Sequence, residues 1–154
     1  MIEWNDVDHF QKGEFPENPD LYAEPSLIYM LDDFRALLNL PIYPSPANGA
    51  LARFDGNPDS RHYAVDRKSD AVDIFVDGDI RHVWLTAMMS GLWGGVGVYF
   101  DTYYLSIKWP MLHLDLRPLK SLNSVTYWFR DGDYYHPMSN NDHRQRLFQL
   151  LSEQ

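Results

Sequence analysis

Three short runs carry the residues that could do chemistry: Ser60-Arg-His62, Ala71-Val-Asp73 and His113-Leu-Asp115. His62 and Asp73 stand eleven positions apart, and His113 follows forty positions after Asp73. Two imidazoles and one carboxylate suffice to hold a zinc ion and leave its fourth position open for water. A neighbouring carboxylate able to take a proton would complete a hydrolytic centre.

Each run has an ordinary reading as well. A histidine taken singly is more often a surface or packed residue than a ligand, and His82 and His143 read that way. Strand alternation places His113 and Asp115 on one face, with Leu112, Leu114 and Leu116 on the other. Periodicity alone favours a polar, solvent-facing side of an edge strand there. Asp73 is harder to dismiss, because an acid within an apolar strand is costly to bury unless it is paired or metal-bound. Asp115, two positions from a ligand, is within reach of two jobs: general base, or partner orienting the imidazole.

The elements that must position these residues follow from periodicity. Leu27, Met30, Leu31, Phe34, Leu37 and Leu38 recur at helical spacing, with Ser26 as the expected N-cap and Pro41 as the stop. Ile42 to Pro44 is a short extended piece, and residues 45–59 are loop-like. Ala71 to Val76 reads as a strand. Asp77-Gly-Asp79 then turns it into a second helix, with Ile80, Val83, Trp84, Ala87 and Met88 on one face. Strands are expected at Val96 to Phe100, Met111 to Leu116 and Val125 to Phe129, and Leu147, Leu150 and Leu151 mark a last amphipathic helix. Helices followed by strands without regular alternation predict an α+β domain with a central, largely antiparallel sheet flanked by helices.

Composition narrows the function. The 154 residues fit one domain with a substantial core, and 45% hydrophobic and 15% aromatic content argue against disorder. There is no cysteine, so a metal would be held by His and carboxylate alone. The net charge of −9 leaves no basic stripe for nucleic acid. No membrane-length apolar run and no signal peptide are visible, so synthesis in the cytoplasm is expected.

Taken in order, the motifs resemble the zinc D-Ala-D-Ala metallopeptidase family, whose fold the hedgehog signalling domain shares. The matches are Ser60-Arg-His62, Ala71-Val-Asp73 and His113. In one branch Gly-x-Gly-x-Tyr precedes a His-x-Asp-x-Arg strand and a later Trp, as in Gly95-Val-Gly97-Val-Tyr99, His113-Leu-Asp115-Leu-Arg117 and Trp128. The resemblance implies a hedgehog/DD-peptidase-like fold, with residues 25–130 as the peptidase-like core, 1–24 an N-terminal arm and 131–154 a C-terminal turn and helix. It implies Zn2+ on His62, Asp73 and His113, and hydrolysis of an amide bond in a bacterial peptidoglycan peptide. A phage or prophage origin is expected, with the protein associated with the virion or released on lysis.

Two departures accompany the resemblance. The spacer between His62 and Asp73 is longer than the family's, which makes Asp66 and Asp70 rival ligands. Many members carry the catalytic acid three positions before the last His, where this chain has Pro110. Asp115 is the expected substitute, with Asp101 as the outside choice. Arg53 matches the family's substrate-binding or carbonyl-polarising arginine, although it could equally be an ordinary surface charge. These departures keep a second reading open, a non-catalytic structural or binding module of the same fold in a phage particle.

Overall fold

Alternation along the strands divides the sheet into an apolar face and a chemical face, and this division positions everything else. The computed structural model describes residues 1–119, 125–138 and 140–154. The strands are β1 (Ile42–Pro44), β2 (Ala71–Val76), β3 (Gly95–Tyr99), β4 (Tyr103–Tyr104), β5 (Ile107–Lys108), β6 (Met111–Asp115), β7 (Thr126–Asp131) and β8 (Tyr134–Pro137). Six form one sheet in the order β1-β2-β6-β3-β7-β8, while β4 and β5 make a separate hairpin. Every neighbouring pair in the large sheet is antiparallel except β3 and β7. The architecture is therefore α+β, with a mainly antiparallel sheet, as the sequence predicts.

The apolar face carries Val72, Ile74, Val76, Val96, Val98, Leu112, Leu114 and Phe129. They join one buried cluster with the inner faces of α2 (Pro25–Leu38), α3 (Ile80–Met89) and α4 (Asn141–Ser152). A short α1 (Pro19–Tyr22) precedes them. Pro25 occupies the first turn of α2, where its missing N–H costs nothing. Glu24, not the expected Ser26, is its N-cap. Asn39 closes this helix in the left-handed conformation (φ 52°), its N–H donating to the Arg35 carbonyl.

Ile2, Val7, Phe10 and Phe15 are buried in the same cluster as Leu147, Leu150 and Leu151. The arm (1–24) and the C-terminal segment (131–154) thus share one core with residues 25–130. Asp32 of α2 fastens the arm by accepting from the main-chain N–H groups of Asp8 (3.1 Å) and His9 (2.7 Å).

Two elements escape a periodicity reading. Strand β8 is polar and largely exposed, and it exists because β7 offers it a ladder. The β4–β5 hairpin turns at Leu105 and Ser106, both with positive φ (47° and 74°). Such turns normally draw Gly, Asn or Asp, so its sequence carries no turn signal. A small second cluster of Phe75, Tyr99 and Met111, with Tyr43, Tyr104 and Trp109 packed on it, underlies the hairpin.

Candidate metal centre

The chemical face is built strand by strand. Register places Asp73 of β2 opposite His113 of β6, and His113 opposite Gly97 of β3. One residue pair further along, Asp115 lies between Ala71 and Gly95. Strand β6 is thus an interior strand, and its His113 and Asp115 are buried, not turned to solvent on an edge. His62 arrives from outside the sheet, on a turn held by the Arg53 N–H donating to its carbonyl (2.6 Å). The long spacer between His62 and Asp73 is an excursion of turns. Arg67 pins it by donating to the carbonyls of Pro58, Ser60 and Tyr63.

His62, Asp73 and His113 are 3%, 5% and 6% exposed, and each points a ligand atom inward. His62 Nε2 lies 2.9 Å from His113 Nδ1 and 3.3 Å from Asp73 Oδ1, and His113 Nδ1 lies 2.9 Å from Asp73 Oδ1. Donors about 2.0–2.1 Å from a tetrahedral ion stand about 3.3 Å apart, so the three fit a metal after opening by a few tenths of an ångström. This buried group could hold a metal ion, offered two nitrogens and one oxygen. Among the described residues His62 Nδ1, a buried nitrogen, has no hydrogen-bond partner. Asp66 is exposed, and Asp70 is engaged by Arg61 at 2.8 Å, so neither rival enters the cluster.

Electrostatics inside the group are strongly coupled. Burial pushes the Asp73 carboxyl up. The charge of His62 and hydrogen bonds from both imidazoles outweigh it and hold the carboxyl well below the usual range. Burial pushes His113 down, but its bonds to Asp115 and Asp73 prevail and raise it to about 9. Ligand nitrogens must be deprotonated, so a metal would displace the proton that His113 otherwise keeps.

Asp115 faces the outer ring nitrogen, His113 Nε2, at 3.0 Å, on the opposite side of the imidazole from Asp73 and His62. Its other bonds come from Arg117, the main-chain N–H at 3.0 Å and Nε at 2.7 Å. Burial raises its carboxyl, but the bonds from His113 and Arg117 dominate and hold it well below the ordinary range. A fully buried carboxylate so placed suits the second of its two expected jobs, orienting His113, better than the first, general base, for which Arg117 and His113 leave it little freedom. Asp115→Asn should therefore lower zinc affinity about 10- to 100-fold, read by competition with a chelator. Unchanged affinity would remove the positioning role.

The glycines of β3 make this arrangement possible. A Cβ on Gly95 would lie 2.5 Å from both Asp115 carboxylate oxygens, and one on Gly97 would lie 2.6 Å from Trp128 Cε2. Trp128 in turn stands beside His113 (ring centroids 5.2 Å) and under the Arg117 guanidinium (4.9 Å). Gly95, Gly97, His113, Asp115, Arg117 and Trp128 thus interlock as one packed unit.

An open cleft lies over the cluster, with His62, Asp73 and His113 in its lining. Arg53 lines it too; its Nε donates to the Gly49 carbonyl (3.1 Å), and it has no carboxylate partner among the described residues. Asp101 does not line it and is bound by Arg130 at 3.0 Å. Three more residues line the cleft: Tyr99, which belongs to the Gly-x-Gly-x-Tyr motif, and Arg130 and Asp59, which sequence reasoning missed. Tyr99 stacks near His113 at 6.4 Å, Arg130 lies over Tyr99 at 4.6 Å, and Asp59 is an exposed acid without a cationic partner among the described residues. Only the alternation of β7 could have signalled Arg130; Asp59 sits in a turn and carried no signal. Comparison with protein-family models, curated proteins and solved structures found no match. No described helix is long and apolar enough to cross a membrane.

Proposed function

We propose that the protein is a zinc-dependent peptidase that hydrolyses an amide bond in peptidoglycan stem peptides or cross-links. The observation that carries this reading is the convergence of three buried donors, His62, Asp73 and His113, at an open cleft. Zinc is the metal proposed because two imidazoles and one carboxylate are a familiar catalytic donor set for it. Bound there, zinc supplies a Lewis acid and brings the pKa of water toward neutrality. The resemblance in motif order supplies the substrate class, the hedgehog/DD-peptidase-like fold and the phage or prophage origin.

The chain's own residues divide the remaining work. Asp115 and Arg117 hold the His113 ring in place from behind. Arg53, in the cleft without a carboxylate partner, binds a substrate carboxylate or the developing oxyanion. Asp115 and Asp101, both held by arginines, are poorly placed as general base; Asp59, an acid in the lining without a cationic partner among the described residues, is the candidate for that role. Those two ion pairs also favour the alternative, a non-catalytic module of the same fold.

Digestion of purified peptidoglycan by the zinc-loaded protein separates the two readings. The peptidase should release new amino termini without new reducing sugars, lose the activity to a chelator and regain it with zinc. Reducing ends would point to a glycosidase and sink the peptidase reading. Bound zinc with no product from any wall type would establish the non-catalytic module.

A further inference from the structure

Residues 45–53 contribute Ser45, Ala47, Asn48, Ala50 and Arg53 to the cleft lining, yet they lie outside any strand or helix, with an isolated bridge from Arg53 to Tyr63 at their end. Their main chain is tied to both outer ligands of the centre. The Asp73 N–H donates to the Ala50 carbonyl at 2.9 Å, and the Arg53 N–H donates to the His62 carbonyl at 2.6 Å. The segment turns at Gly49, whose φ of +81° suits glycine. A Cβ there would meet Arg53 Cγ at 2.6 Å, so the Arg53 stem lies directly across this residue.

A carboxylate from the N-terminal arm reaches into this loop. Glu17 Oε1 accepts from the Gly49 N–H at 2.6 Å, and Oε2 accepts from Leu51 (3.1 Å) and Ala52 (3.3 Å). Successive main-chain N–H groups turned to one side form a concavity that favours an anion. Here that anion is a half-buried side chain more than thirty residues away in sequence. The contact also leads to the guanidinium: Gly49 gives its N–H to Glu17 and its carbonyl to Arg53 Nε.

We propose that Glu17 is a positioning residue for the centre. It fixes the 45–53 loop, and through Gly49 it sets where Arg53 stands over the cleft. The functional part of this inference rests on the peptidase reading. A merely structural clamp would lower stability without sharing its effect with Arg53. A positioning residue must lose its influence once Arg53 is gone.

The test uses the full zinc-loaded chain and peptidoglycan stem peptides, with Glu17→Ala, Glu17→Gln, Arg53→Ala and the double variant E17A/R53A. Glu17→Ala should cut kcat/KM about tenfold, with the same division between KM and kcat as Arg53→Ala. The double variant should be no worse than the poorer single one. Glu17→Gln keeps an acceptor oxygen and should fall between wild type and Glu17→Ala, which guards against simple loss of fold. Losses that multiply in the double variant, or a Glu17→Ala enzyme equal to wild type, would overturn the proposal. If the wild type binds zinc but cleaves nothing, the peptidase reading fails by itself. The loop's hold on His62 and Asp73 is then judged by zinc affinity, which Glu17→Ala should weaken about tenfold; equal affinity overturns it. A wild type that binds no zinc would end both.

Discussion

Replacing Asp73 with alanine should abolish stoichiometric zinc binding. Asp73 is the one carboxylate among the three converging donors, and its Oδ1 lies within 3.3 Å of both imidazoles. Without it two neutral nitrogens remain, one fewer protein ligand than an open catalytic zinc site uses. His62→Ala and His113→Ala should have the same result for the same reason. Metal analysis after gel filtration reads the outcome, and it should fall from about one zinc per chain to background. Full occupancy in all three variants would mean that the metal sits elsewhere. Hydrolysis should disappear with the metal in each case.

The second large effect is expected at a residue with no side chain. Gly95→Ala would place a methyl group 2.5 Å from both Asp115 oxygens and 2.6 Å from Arg117 Nε. Neither partner can retreat cheaply, because Asp115 is fully buried and bonded to His113 and Arg117 at once. Overpacking alone costs about 1–3 kcal/mol, and breaking a buried charge pair costs about 3–5 kcal/mol. The variant should therefore unfold at markedly lower urea concentration and bind zinc more weakly. Gly13→Ala is the control: its new Cβ would meet nothing within 4 Å, and the change should stay within about 0.5 kcal/mol. Equal stability of the two variants would show that β3 does not constrain the Asp115 network.

Much of this was legible in the chain because it depends on local period. The twofold alternation of β2 and β6 put Asp73, His113 and Asp115 on faces opposite to Ile74, Leu112 and Leu114, and the structure keeps that division. The first and third long helices were readable from leucine spacing, and the absence of cysteine limited any metal site to nitrogen and oxygen donors. Motif order also marked Gly95, Gly97 and Trp128 as a set, although nothing in their order explains why they belong together.

Tertiary structure decided the rest, because each remaining question turns on direction or on distant partners. Alternation cannot tell an edge strand from an interior one. That β6 lies between β2 and β3 is what buries Asp115 and makes its charge matter. Nor can spacing tell which ring nitrogen of His113 a carboxylate faces, yet that choice separates a base from a positioning residue. Arg130 and Glu17 carry no signal in the sequence, and Arg117 stands there as a motif residue without a partner, since charge in a sequence carries no bearing. Only the folded chain shows that two of them immobilise the expected bases and that the third, Glu17, fastens the loop beneath Arg53.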